Sequence, residues 1–175
     1  MNEGRAEDWL IKCTKALRKL LPVGKYLVSH APQAPYFMGK RYYKNGGYVK
    51  VNEEVGDLID WYNIQFYNQG DTTYDNYDKL FIESEGTFNK TAVKNIVDIL
   101  GKENTHKVVV GKPVTKQDAS NTGWVQPGDL GAWAAKANLE FGWEAGVMTW
   151  QYPSDPDGMF IKTYQSSFSA TKEAL

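Results

Sequence analysis

The chain has 175 residues, of which 42% are hydrophobic and 14% aromatic, and this is enough apolar material for the packed core of a folded domain. Its 20 basic and 21 acidic side chains leave a net charge of -1 without a long basic run, so we expect no nucleic-acid partner. No stretch approaches the roughly 20 apolar residues of a membrane span, and a single cysteine, Cys13, excludes an internal disulfide.

The first third of the chain predicts a helix followed by a strand. Apolar residues recur every three or four positions between Ala6 and Leu21, and Pro22 ends this pattern. The spacing predicts that one helix face is buried, namely the face of Trp9, Leu10, Cys13, Ala16, Leu17, Leu20 and Leu21. Lys25–His30 is short and β-rich, which predicts a strand, and residues 39–48 are rich in turn formers.

The middle of the chain repeats this alternation. Leu58–Tyr67 is almost continuously apolar or aromatic, which predicts a central strand that is buried on both faces. Residues 68–80 are predicted to form a loop, and a helical pattern runs from Thr87 to Leu100. Lys107–Gly111 is predicted to be a third strand. The following segment, Lys112–Asn121, is too polar to pack and is predicted to form a loop.

The last third adds a helix, a strand and a final helix. Pro127 begins a helical pattern that Gly142 ends, Gly146–Trp150 is a β-rich run, and the tail from Tyr164 to Leu175 is helical in pattern. Alternating helices and strands predict an α/β fold with parallel strands and right-handed crossovers. No repeat or linker divides residues 1–175, so we expect a single domain.

Four segments at the predicted strand ends resemble family 18 glycoside hydrolases, in particular chitinases of the fungal and plant type. These segments are Tyr26–Tyr36 with its Ala-Pro-Gln, Ile64–Asn68 with its Gln-Phe-Tyr-Asn, Val109–Pro113 together with Gly123–Val125, and Gly146–Trp150. The resemblance covers nearly the whole chain. It implies half of a (β/α)8 barrel, in which the four parallel strands are the fifth to the eighth.

The same resemblance implies an incomplete catalytic motif. In the family, the fourth strand ends in Asp-x-x-Asp-x-Asp-x-Glu, whose Glu is the general acid. Asn2-Glu3-Gly4 resembles the end of this motif, so Glu3 would correspond to the acid, while Met1 stands in place of the assisting Asp. A residue so close to the start of a chain is usually frayed and solvated, so we expect little or no hydrolysis by this chain alone.

The resemblance also implies which residues bind the sugar. Tyr67 would be the second catalytic group and donate its hydroxyl to the substrate acetamide, and Gln65 would bind the same sugar. Trp150 would form the apolar floor, and Gln33 and Asn68 would complete the substrate-binding set. From the pattern alone, Tyr67 and Trp150 could instead be core residues, and Gln33 could cap a loop.

No cofactor or metal is expected. His30 and His106 are isolated from other metal ligands, and a buried, hydrogen-bonded His30 is the favoured interpretation. Asp57 and Asp60 precede a strand and are predicted to lie in a solvated turn. The compartment stays open, because family members are usually secreted while the residues after Met1 do not resemble a signal segment.

These observations support three alternative functions. The first is a family 18 chitinase-like domain that binds chitin or N-acetylglucosamine oligomers but is catalytically incomplete alone. The second is a non-enzymatic, lectin-like half barrel, and the third is a fragment that associates with a partner half. A half barrel has two open sheet edges and an exposed inner face, so we expect a homodimer or a partner half barrel, and self-association is the favoured alternative. The residues expected to be partly wetted are Leu27, Ile64, Phe66, Val108, Val110 and Met148.

Overall fold

The computed structural model describes Met1 and residues 3–174, so Asn2 and Leu175 lie outside the described residues. Its centre is a single sheet of four parallel strands in chain order, as predicted. The strands are β1 (Ser29–His30), β2 (Trp61–Gln65), β3 (Val108–Pro113) and β4 (Val147–Trp150). Helices connect consecutive strands, which is the arrangement of half a (β/α)8 barrel.

Five α-helices accompany the strands within the described part of the chain. They are α1 (Ala6–Leu20), α2 (Gly47–Val55), α3 (Val93–Leu100), α4 (Pro127–Phe141) and α5 (Met159–Ala174). α1 precedes β1 and α5 follows β4, so a helix flanks each end of the sheet. Shorter helical segments are Ala34–Arg41, Gly56–Leu58, Asp78–Ile82, Lys102–Lys107, Lys116–Asp118 and Tyr152–Ser154.

The two faces of the sheet differ in composition. The face toward the helices is apolar, and Ile64, Phe66, Val108 and Val110 on it are all 0% exposed. The expectation that these four residues would be wetted is therefore wrong, because alternation along the strands turns them into the helix layer. The opposite face, which would line the inside of a barrel, is more polar and carries Ser29, Trp61, Asn63, Gln65, Met148 and Trp150.

α1 buries the opposite face from the one predicted. Trp9 is 65% exposed and Leu20 is 78% exposed, whereas Glu7, Ile11, Thr14 and Arg18 are buried. Polar partners explain the reversal. The Glu7 carboxylate accepts a hydrogen bond from the Gly47 N–H at 3.0 Å, at the start of α2. The helix thus turns Glu7, Thr14 and Arg18 inward beside Ile11. It leaves an apolar stripe of Trp9, Ala16, Leu17 and Leu20 exposed, next to the half-buried Cys13.

Arg18 holds α1 against the start of the sheet. Its guanidinium donates to the carbonyl oxygens of Leu58 at 2.7 Å and Tyr26 at 2.8 Å, and to the Asp60 carboxylate at 2.6 Å. Asp60 also accepts the Val28 N–H at 2.6 Å. Partial burial raises the pKa of Asp60, but these two hydrogen bonds and the Arg18 charge outweigh it and lower the pKa overall. The prediction of a solvated turn at Asp60 is therefore wrong.

Several element boundaries also differ from the predictions. Only the last two residues of the predicted strand Lys25–His30 pair with β2, and Leu27 is 71% exposed. The helix predicted from Thr87 begins at Val93, because Thr87 is instead held in a loop by the Asp71 carboxylate at 3.0 Å. α2 begins at Gly47, within the last two residues of the stretch 39–48 that the sequence indicated as rich in turn formers.

His30 has the structural role that was favoured from the sequence. Its ring nitrogens lie 3.0 Å from the Thr14 hydroxyl and 3.2 Å from the Tyr48 hydroxyl, and burial lowers its pKa.

Within Met1 and residues 3–174, no group of three or more His, Cys, Asp or Glu side chains could hold a metal ion. In the same residues, no helix is both long enough and apolar enough to span a bilayer.

Candidate functional site

The carboxyl-terminal ends of the strands bring several predicted site residues to one edge of the sheet. Gln33 follows β1 and forms an isolated parallel bridge with Gln65, the last residue of β2. Gln65 pairs with Gly111, which in turn pairs with Met148 on β4. Because side chains alternate along a strand, Gln65 and Trp150 lie on the same face, opposite the helices. The structure therefore places Gln33, Gln65 and Trp150 along one rim.

Gln65 is fixed at this rim by two hydrogen bonds to the loop after β1. Its backbone N–H donates to the Pro32 carbonyl at 2.8 Å, and its side-chain amide donates to the Ala31 carbonyl at 2.8 Å. The amide orientation is thus determined before any ligand binds. A fixed amide loses little conformational entropy on binding a sugar, which favours recognition.

Tyr67 lies two residues beyond Gln65 and is only 5% exposed. No hydrogen bond joins its hydroxyl to another described residue, although its carbonyl accepts one from Gln69 at 3.0 Å. Burial raises the pKa of Tyr67, so the phenol remains protonated near neutral pH. A protonated hydroxyl that lacks an internal partner is able to donate to a ligand.

Asn68 links the loops that follow β2 and β3. Its side-chain oxygen accepts the backbone N–H groups of Ser120 at 2.7 Å and Asn121 at 3.2 Å, and its own N–H donates to the Thr122 carbonyl at 2.8 Å. These bonds give Asn68 a loop-ordering role in the structure. Its predicted contact with substrate stays a prediction.

Trp150 presents a half-exposed indole at the end of β4, since 50% of the residue is accessible. The loop behind it is braced by Asp118, which accepts hydrogen bonds from the Ser154 hydroxyl at 2.8 Å and from the Thr115 hydroxyl at 2.7 Å. The bonds from Thr115 and Ser154 lower the pKa of Asp118 to about 2. The carboxylate is therefore charged at neutral pH and joins the loops after β3 and β4.

Glu3 lines a cleft of about 470 Å³. Its side chain is 77% exposed and forms an ion pair with Arg5. Gln33 also lines this cleft, whereas Gln65, Tyr67, Asn68 and Trp150 are not among its lining residues. Gln33 therefore belongs both to the cleft of Glu3 and, through its bridge to Gln65, to the rim.

The cleft also contains aromatic residues that the sequence did not single out. Tyr36, Tyr42, Tyr43 and Phe88 line it together with Gln69. The ring centroids of Tyr42 and Phe88 are 5.5 Å apart, and those of Tyr36 and Tyr43 are 5.7 Å apart. Aromatic faces and side-chain amides suit the apolar faces and hydroxyl groups of sugars. The adjacent Tyr42 and Tyr43 in a turn-rich segment were the one available sequence signal.

Lys112 was predicted to belong to a polar loop, but it lies within β3 and is completely buried. Its ammonium donates to three backbone carbonyl oxygens, those of Phe66 at 2.9 Å, Tyr74 at 2.7 Å and Gly123 at 3.0 Å. Burial lowers the pKa of Lys112 to about 7, and the charge of Asp75 opposes this shift. The prediction was wrong because these carbonyl groups come from distant segments.

Comparisons with known proteins returned matches among solved structures only, since neither protein-family models nor curated proteins gave a match. The chain is similar to the crystal structure of a glycoside hydrolase family 18 chitinase from Pseudoalteromonas aurantia. The identity is 33%, the TM-score is 0.73, and the match covers 93% of this chain and 53% of the chitinase.

Two further structures share the fold at lower identity. A fungal endo-β-N-acetylglucosaminidase of glycosyl hydrolase family 18 is 21% identical with a TM-score of 0.62, over 89% of this chain and 50% of that one. A xylanase-A-amylase inhibitor protein is 16% identical with a TM-score of 0.57, over 90% of this chain and 51% of that one. These two likenesses show the fold alone. The chain spans about half the length of all three structures.

Proposed function

We propose that this chain, which is a family 18 chitinase-like half barrel, binds N-acetylglucosamine oligomers at the rim of Gln33, Gln65 and Trp150, with Tyr67, two residues beyond Gln65, as a further contact. The observation that supports this best is the hydroxyl of the largely buried Tyr67, which stays protonated near neutral pH and has no hydrogen-bond partner among the described residues. At the same edge of the sheet, the fixed amide of Gln65 and the half-exposed indole of Trp150 supply a polar and an apolar contact. A phenol donor suits an acetamide oxygen, and an indole suits the apolar face of a pyranose.

We propose further that the isolated chain hydrolyses chitin poorly. A general acid must be held beside the leaving oxygen and kept protonated, which usually requires burial. Glu3 is largely exposed and forms an ion pair with Arg5, which is itself exposed. Its proposed role as the acid therefore needs a supporting environment that the described residues do not give it.

Titration with N-acetylglucosamine oligomers tests the binding site. Trp150→Ala removes the apolar floor and should weaken binding about tenfold, while Tyr67→Phe removes one hydrogen bond and should weaken it about fivefold. Trp9→Ala is the matched control, because Trp9 is an exposed tryptophan on α1, before β1, and does not belong to the rim. Calorimetry on the three variants and the wild-type chain measures these effects.

Unchanged affinity in both Trp150→Ala and Tyr67→Phe would contradict the proposed site. A fluorogenic chitobioside assay run in parallel separates the enzymatic and lectin-like alternatives. Binding without turnover is the expected result, and it favours the lectin-like function for the isolated chain. If the wild-type chain hydrolyses the substrate and Glu3→Gln does not, the proposal that the isolated chain hydrolyses chitin poorly is overturned.

Association with a partner half is the second candidate, and the apolar stripe on α1 favours it. Trp9, Leu17 and Leu20 are exposed on α1, the helix that precedes β1, and β1 is an edge strand of the sheet in the described structure. In a twofold dimer that closes the barrel, β1 of one copy would meet β4 of the other. At this junction α1 of the first copy and α5 of the second would compete for the same space. A complementary half barrel therefore fits the open edge of β1 better than a second copy does.

Sedimentation velocity separates these possibilities. We expect the chain to be monomeric at micromolar concentration. A dimer that Trp9→Asp dissociates would instead support self-association through the α1 stripe. Because Trp9 is remote from the rim, this result would not alter the interpretation of the sugar titrations.

A further inference from the structure

Lys112 is a buried cation whose three hydrogen-bond donors are all used by backbone carbonyl groups. The distances of 2.7 to 3.0 Å from its nitrogen to the Phe66, Tyr74 and Gly123 oxygens are those of good hydrogen bonds. An ammonium has three N–H groups and no acceptor, so the site matches the charged form of lysine. None of the described carboxylates forms an ion pair with Lys112. Its partners are therefore backbone positions alone.

The three carbonyl groups belong to segments that lie before Tyr67, after it and against it. Phe66 immediately precedes Tyr67, Tyr74 lies in the loop that follows, and Gly123 belongs to the loop after β3. Gly123 packs so closely against Tyr67 that an added Cβ would lie 2.5 Å from the Tyr67 Cα and 2.6 Å from its Cβ. Lys112 thus joins the segment before Tyr67 to the segment that packs on it.

We infer that Lys112 is a positioning residue, which fixes the backbone on both sides of Tyr67 so that the Tyr67 hydroxyl is presented to the acetamide of the sugar. This inference rests on the proposed function. Lys112 itself lies on the helix side of the sheet, opposite Gln65 and Trp150, and does not touch the ligand. It acts on binding only through the placement of Tyr67.

The titration of Lys112 supports this role. Its lowered pKa of about 7 makes the neutral amine accessible under mild conditions. An amine has only two N–H groups, so deprotonation releases one of the three carbonyl groups and loosens the frame around Tyr67. The titratable groups beside it are Tyr74, whose ring centroid is 6.0 Å from the nitrogen, and Asp75. Burial raises the pKa of Tyr74, which therefore stays protonated near neutral pH.

A double-mutant cycle between Lys112 and Tyr67 tests the inference. Lys112→Met should weaken binding of an N-acetylglucosamine oligomer about tenfold in the wild-type background, but less than about twofold in the Tyr67→Phe background. Lys107→Met is the matched control. Lys107 also donates to a backbone carbonyl, that of Gly56 at 2.9 Å, but it precedes β3 at the opposite end. We expect it to leave sugar affinity unchanged.

A pH series provides a second readout that a purely structural role would not change. The affinity of the wild-type chain should fall as the pH rises from about 6 to about 8.5, and that of Lys112→Met should not follow this trend. If Lys112→Met does not fold, the wild-type pH series and Lys112→Gln, which retains an amide donor, still decide the question.

Two results have different meanings. Additive effects of Lys112→Met and Tyr67→Phe, together with a flat wild-type pH series, would overturn the positioning role while leaving sugar binding intact. The absence of binding by the wild-type chain would overturn the proposed function and this inference with it.

Discussion

Replacement of Arg18 by methionine should lower the free energy of unfolding by about 2–4 kcal/mol, because it leaves three partly buried partners of the guanidinium without this donor. The Arg18 side chain is 5% exposed, and the Asp60 carboxylate that it contacts is 24% exposed. Methionine keeps the aliphatic volume but supplies none of the hydrogen bonds to Leu58, Tyr26 and Asp60. Urea denaturation followed by tryptophan fluorescence measures the loss.

Arg41→Met is the matched control for this experiment. Arg41 also makes two hydrogen bonds, both to Asn89, but the interaction is exposed. Exposed pairs of this kind contribute little, so we expect a loss of about 1 kcal/mol or less. Equal losses for the two arginine variants would contradict the view that the Arg18 network anchors α1.

Gly123→Ala should destabilise the chain by about 2–4 kcal/mol and weaken sugar binding as well. Gly123 has a φ of +101°, which strains any residue with a Cβ, and the new methyl group would approach the Tyr67 Cα to 2.5 Å. Tyr67 cannot move freely, since its neighbour Phe66 is held by Lys112. The combination of strain and overlap is expected to displace the phenol from the rim.

Gly142→Ala separates the backbone contribution from the steric one. Gly142 ends α4 with a φ of +74°, but no atom lies within 4 Å of its added Cβ. This variant should therefore show only the cost of positive φ, about 1 kcal/mol, and should bind sugar normally. If Gly123→Ala is no more costly than Gly142→Ala, the close approach to Tyr67 has no energetic consequence.

The predicted elements that depend on local pattern agree with the structure. β2 and β3 lie at the centre of the sheet, α4 runs from Pro127 to Phe141, and β4 ends at Trp150 as the sequence indicated. Periodicity, proline and glycine are local signals, and they are sufficient for these elements. The common edge of Gln33, Gln65 and Trp150 could also be predicted, because parallel strands bring their carboxyl ends together.

The predictions that failed concern partners far away in the chain. The burial of α1 was assigned to the wrong face, because Arg18 and Glu7 find partners 42 and 40 positions away. Lys112 was assigned to a solvated loop, although carbonyl groups up to 46 positions away satisfy it. The cleft around Glu3 likewise joins Tyr42 and Phe88, which no local pattern connects.

The sequence by itself determined the alternation of strands and helices and the likeness to family 18 glycoside hydrolases, and it predicted that Gln65, Tyr67 and Trp150 bind the sugar. Only the tertiary structure decided which face of α1 is buried, how Lys112 is satisfied and that Glu3 shares a cleft with Tyr42 and Phe88. Local structure follows from periodicity that neighbouring residues set. Burial of a polar or charged group depends on whether distant segments supply hydrogen-bond partners, and this is known only when the chain has folded.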